Sequence, residues 1–133
     1  MIKATGTFDV KITPQASDLA PEGPHLGRMS LDKQFHGDLD GAAKGEMITA
    51  AGITVKESAA YSAVERVTGT LHGKQGSFAL QHTGVMDRGK PSLTITVVPD
   101  SATGELAGLT GTMAITIEGK KHSYVFDYVI QKS

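Results

Sequence analysis

The sequence predicts an all-β fold, a closed antiparallel barrel of about eight strands in up-and-down order. Three observations lead there. Apolar and polar residues alternate along most of the chain, the pattern of strands with one buried side. Glycine-rich turn signals separate the alternating runs. The 133 residues also include 16 Gly and 5 Pro alongside many Thr and Val, which favours strands and tight turns over helices. Strands with one apolar side each must curl or stack to bury it, and inward faces that agree over consecutive hairpins favour closure. The chain is read as one domain, residues 1–133, long enough to bury roughly two-thirds of its unfolded surface.

The first run, Ile2 to Ile12, points Ile2, Ala4, Gly6, Phe8, Val10 and Ile12 inward and Lys3, Thr5, Thr7, Asp9 and Lys11 outward. Pro14 to Pro24 (PQASDLAPEGP) reads as a loop that crosses an open end or covers a site. Leu26 to Phe35 is the second strand, with Met29, Leu31 and Phe35 on its apolar side. Lys33 interrupts that side, so a bulge or a rim position is expected there. His36 to Gly41 is turn-like, and a third strand is expected from Ala42 to Ala51. Its inward face stays open, because Met47 and Ile48 are adjacent. Gly52 to Ser58 shows no pattern and is read as a loop or a ragged edge.

The most informative stretch is Glu65 to Met86 (ERVTGTLHGKQGSFALQHTGVM). Ala63, Glu65, Val67, Gly69 and Leu71 share one face, and Phe78, Leu80, His82, Gly84 and Met86 share another. A turn centred on Lys74-Gln75, between Gly73 and Gly76, is expected to close the hairpin. Leu71 then faces Phe78, Gly69 faces Leu80, Val67 faces His82 and Glu65 faces Gly84. Only Glu65 and His82 are polar on this side, and they become diagonal neighbours within side-chain reach. The opposite faces carry Arg66, Thr68, Thr70 and His72 against Thr83, Gln81, Ala79 and Ser77, a solvent side. Inverting the hairpin would bring Arg66 and Gln81 inside instead.

A turn at Arg88-Gly89 leads into Leu93, Ile95 and Val97, with His82 beside Ile95 and Leu80 beside Val97. Pro99 to Leu109 (PDSATGELAGL) holds the one hint of helix, of one or two turns. Gly111, Met113, Ile115 and Ile117 then alternate with Thr112, Ala114 and Thr116. A Gly119-Lys120 turn brings Tyr124 against Ile115, Phe126 against Met113, Tyr128 against Gly111 and Asp127 against Thr112.

Composition excludes several classes of function. Thirteen basic and 14 acidic residues give a net charge of −1, and there is no Trp and 5% aromatic residues, so neither a phosphate footprint nor a base-stacking platform exists. No nucleic-acid or membrane partner is expected. No cysteine is present, which removes disulfides, thiolate catalysis and cysteine–zinc sites and fits a reducing compartment. The opening MIKATGTFDV lacks the apolar core of a signal peptide, and no apolar run approaches the ~20 residues of a membrane span. A cytoplasmic location is therefore expected. The five histidines, His25, His36, His72, His82 and His122, show no metal-ligand spacing, so no metal and no cofactor are expected. Gly69 to Gln75 departs from a phosphate loop in spacing and leads into a strand. No G-x-S-x-G elbow occurs.

The segments ERVTGTLHGKQGSFALQHTG and VVPDSATGELAGLTG, with the opening ATGTFDVK, resemble the family called domain of unknown function 3224 over nearly the whole chain. Thr103 to Gly111 is also similar to a segment of allene oxide cyclases and dirigent proteins, which commonly place an aromatic residue where this chain has Leu106. The resemblance implies an allene oxide cyclase-like (calycin-like) barrel. The family lends no assigned activity, and no catalytic residue is carried over.

Glu65 and His82 form the sharpest chemical signal. A carboxylate and an imidazole among apolar side chains can serve as base and acid, or orient a ligand's hydroxyl or carbonyl. They can equally form a buried pair that only satisfies itself. Val67, Phe78, Leu80, Ile95, Met113, Tyr124, Phe126 and Tyr128 are the expected ligand-lining residues. Tyr61, Tyr124, Phe126 and Tyr128 also fit a core, although buried hydroxyls on Tyr124 and Tyr128 need partners in a ligand, in water or in the Glu65/His82 pair. Glu105 is expected to cap or pair near its own turn. The expected function is binding of a small hydrophobic ligand. A cofactor-independent cyclase or isomerase and a packed structural domain, with a homodimer plausible, are the alternatives.

Overall fold

The computed structural model describes residues 1–15 and 23–131. Eight antiparallel strands close into a barrel in sequence order: β1 Ile2–Gln15, β2 His25–Gly37, β3 Leu39–Ala51, β4 Ala59–Leu71, β5 Lys74–Asp87, β6 Lys90–Val97, β7 Leu109–Glu118 and β8 Lys121–Ile130. One 3-10 turn, Gly104–Leu106, is the only helical element among the described residues. Among the described residues no helix is long and apolar enough to cross a membrane. Pro14 and Gln15 continue β1 rather than starting a loop, and His36 and Gly37 continue β2. The rest of the expected Pro14–Pro24 loop falls mostly outside the described residues, and 52–58 is a loop as expected.

Inward faces follow the alternation. The β5–β6 pairing sets His82 on Ile95 and Leu80 on Val97, and the β7–β8 pairing sets Ile115 on Tyr124 and Met113 on Phe126. Arg66 and Gln81 are exposed, so the hairpin is not inverted. Met47 faces the interior side while Ile48 is exposed, which settles the open face of β3.

The β4–β5 register differs from the expected one. Val67 pairs with Phe78, Glu65 with Leu80 and Ala63 with His82, because the turn is His72-Gly73 rather than Lys74-Gln75. Both turn residues have positive φ, 48° and 80°, as the two-residue turn that matches strand twist requires. The slip moves each partner by an even number of residues and so leaves every side chain on its face. Glu65 and His82 stay diagonal neighbours, now on the other diagonal.

The two ends of the barrel differ. At one end large side chains fill the interior: Phe35, Leu39, Leu71, Phe78, Leu106, Tyr124 and Phe126 are all fully buried. Phe126 stacks between Phe78 and Tyr128, with ring centroids 5.9 and 5.3 Å away. The Tyr124 hydroxyl accepts from the Leu39 N–H at 2.9 Å and donates to the His36 carbonyl at 2.9 Å, tying β8 to the β2–β3 turn. Glu105 accepts from the Gln75 N–H at 3.0 Å, so it fastens the 3-10 turn to the start of β5, a partner 30 residues away. At the other end small residues and exposed apolar ones leave the barrel open.

Candidate functional site

The site begins with a lysine. Lys33 on β2 sits in unbroken pairing with Val10 of β1 and Ala43 of β3, so β2 has no bulge and Lys33 simply points inward. It is 8% exposed. Its Nζ donates to Glu65 Oε2 at 2.9 Å, reaching across β3 to β4. That reach is possible because the β3 residues between them are small: Ala43 lies opposite both Lys33 and Val67, and Gly45 lies opposite both Leu31 and Glu65. A Cβ on Gly45 would collide with the Glu65 Cα and Cβ. Lys33 Nζ also lies over the rings of Phe8 and Phe35, 5.3 and 5.9 Å from their centroids.

His82 on β5 completes the group, its Nε2 2.9 Å from the same Glu65 Oε2. The ring is turned so that this close approach is not an aligned hydrogen bond, and Nε2 has no other partner among the described residues; nor has Glu65 Oε1. Glu65 is 1% exposed and His82 3%. Burial pushes the Glu65 carboxyl up, but His82 and Lys33 beside it outweigh burial, and its pKa is lowered. Glu65 is therefore an ionised carboxylate in the interior.

Above this trio lies a cavity of about 450 Å³, within the range of small-molecule sites. Phe8, Val10 and Ile12, Leu31, Met47 and Thr49, Ala59 to Tyr61, Gly84 to Met86, Pro91 to Leu93, Ile115, Ile117 and His122 surround it. Lys33 and His82 reach it as polar groups of its floor, whereas Glu65 lies behind them. The Tyr61 ring lies across Gly84, where a Cβ would overlap it. Burial, and secondarily the charge of Glu65, raise the Tyr61 pKa and keep its phenol neutral.

Of the expected site residues, Glu65 and His82 are brought together as read. Val67, Phe78, Leu80, Ile95, Met113, Tyr124, Phe126 and Tyr128 all belong to the packed core, and none borders the cavity. The Tyr124 and Tyr128 hydroxyls find protein partners, the β2–β3 backbone and His72 Nδ1 respectively, rather than the Glu65/His82 pair. Lys33 is the residue the sequence reading missed. Its signals were a charge inside an inward-facing apolar series and the small series Gly41, Ala43, Gly45 on the next strand. No cluster of three metal-ligating side chains occurs among the described residues.

A family model described as "Protein of unknown function (DUF3224)" matches residues 4–128. The chain belongs to this family. A solved structure of a DUF3224 protein of unknown function from Shewanella oneidensis MR-1 is 49% identical, covers 100% of this chain and 99% of that chain, and superposes with a TM-score of 0.94. No curated protein matches the chain. The DUF3224 barrel is thus shared with a solved structure, while the comparisons assign it no reaction or ligand.

Proposed function

We propose that this DUF3224 protein binds a small hydrophobic molecule in the open end of its barrel, with a polar group of that molecule turned down onto Lys33 and His82. One observation carries the reading: an apolar-walled cavity of about 450 Å³ ends on two buried side chains, Lys33 and His82, and the Lys33 ammonium keeps donors beyond its bond to Glu65. At ~30 Å³ per water-sized unit, that space suits on the order of 15 non-hydrogen atoms. Burying charged groups beside an apolar space costs free energy, and a ligand's polar end that engages them offsets part of that cost. The expected ligand site therefore moves from the core residues to the walls around Phe8, Met47, Tyr61 and Leu93. The absence of cysteine supports a reducing, cytoplasmic setting.

The test is saturable binding of a neutral, environment-sensitive apolar dye. One dye per chain should bind with a blue-shifted emission, and Met47→Trp, which fills the cavity, should abolish it. A wild-type protein that shows no saturable binding, or a Met47→Trp protein that binds as before, would overturn the reading. A cofactor-independent isomerase on the same floor is the second reading. It draws on His82, a group able to give and take a proton, standing against an ionised carboxylate at the edge of an apolar space.

A further inference from the structure

We propose that the cavity selects a neutral apolar molecule with an oxygen acceptor, of the ketone, aldehyde or ester class, over a carboxylic acid of the same size, and that Glu65 sets this selectivity without touching the ligand. The inference rests on the binding function proposed above and names the chemistry of what is bound.

The floor presents donors. Lys33 carries three N–H groups, and among the described residues its only hydrogen bond goes to Glu65 Oε2 at 2.9 Å. His82 Nε2 is buried against Glu65 Oε2 at 2.9 Å and is not offered to the cavity, so the donors there are those of the ammonium. Both side chains border the cavity. The carboxylate of the group, Glu65, does not border it. A ligand group that engages the Lys33 ammonium must therefore be an acceptor.

Charge decides which acceptor. The ammonium of Lys33 is already matched by the ionised carboxylate of Glu65, whose side chain is fully buried. A carboxylate ligand would place a second negative charge beside the same ammonium, close to Glu65, in a space walled by Phe8, Leu31 and Tyr61. Two carboxylates sharing one buried cation repel each other, and the incoming one also loses its water. A carbonyl oxygen takes the same N–H groups and brings no charge. Glu65 is therefore a specificity-determining residue acting through Lys33.

The experiment measures displacement of the apolar dye by 2-tridecanone and by dodecanoic acid, matched at about 14 non-hydrogen atoms each to suit the cavity, at pH 8. For the wild type, the ketone should displace the dye at a concentration at least about tenfold below that of the acid, a modest fraction of what an unmatched buried charge costs. In Glu65→Gln the ammonium loses its counter-charge, so the ratio should fall toward unity or invert in favour of the acid. In Lys33→Met the uncancelled Glu65 should repel the acid further and widen the ratio among whatever binding remains. An acid that binds the wild type as tightly as the ketone overturns the proposal, even if neither variant folds. A ratio unchanged in a folded Glu65→Gln removes the role given to Glu65. Dye that binds but yields to neither compound overturns the proposed ligand class and leaves the cavity reading intact, whereas absence of dye binding removes both.

Discussion

At the scale of single residues, the interior charge group links stability to pH and to partner loss. The Glu65 carboxyl is held below the ordinary glutamate value of about 4.3. A lowered folded-state pKa gives stability that is fully present above the unfolded value and is lost as pH falls through the folded one. Denaturant melts from pH 7 down to pH 2.5 should therefore show wild-type stability declining below about pH 4.3, with a shallower decline in Glu65→Gln. Equal slopes would contradict the ionised state assigned to Glu65. Removing Glu65 alone strands the ammonium of Lys33, a loss of about 3–5 kcal/mol for one side of a buried pair. Lys33→Met combined with Glu65→Gln should cost clearly less than the two single changes added together, because neither charge is left alone. Additive urea midpoints in that cycle would show that the 2.9 Å contact carries no coupling.

At the scale of strands, the faces were legible in the sequence and the register was not. Alternation over Ala63 to Leu71 and Phe78 to Met86 fixes which side is buried, since a slip of one residue would expose Leu80 and bury Gln81. A slip of two residues changes no face, so polarity cannot detect it. The β4–β5 register is decided by turn geometry, with His72 and Gly73 both at positive φ. Lys33 was misread for a related reason: alternation compares neighbours along one strand, and its partner lies two strands away across Ala43 and Gly45. Two substitutions test the observed register. Gly73→Ala meets open space and only the strain of its φ of 80°, so it should cost about 1 kcal/mol. Gly76→Ala drives a methyl group into the Thr103 carbonyl and should cost more. A reversed order in thermal melts would contradict the placement of the 3-10 turn against β5. Leu80→Ala should cost roughly 2–5 kcal/mol as a buried large-to-small change, and Gln81→Ala, on the exposed face, well under that.

At the scale of the whole barrel, the sequence shows which residues point inward but not how far they fill the space. Both ends alternate equally well. What separates them is volume in three dimensions: Phe35, Phe78, Tyr124 and Phe126 crowd one end, while Thr49, Ala59, Ala60 and Gly84 stand at the other. The wall of the open end also has a weak seam. Thirteen residue pairs join β4 to β5, but only Ile95 with Met113 and Thr96 with Thr112 join β6 to β7. Continued toward the mouth, that register would set Leu93 on Ile115 and Pro91 on Ile117, yet the strands part before reaching them, and Pro91 has no N–H to offer. All four of these residues, unpaired across this seam, border the cavity. Backbone there lacks ladder bonds across the seam, so it should open more readily than the packed end. Amide hydrogen exchange should thus be fast at Leu93 and at the β7 residues facing it, and slow through Val67, Leu80 and Phe126, which are buried and paired on both sides. If the cavity is loaded through this seam, a bound apolar molecule that packs against Leu93 and Ile115 should slow exchange there more than anywhere in β4. Uniform protection around the barrel without ligand would show that the seam is not a soft point, and protection on binding confined to the crowded end would place the ligand in the wrong half of the molecule.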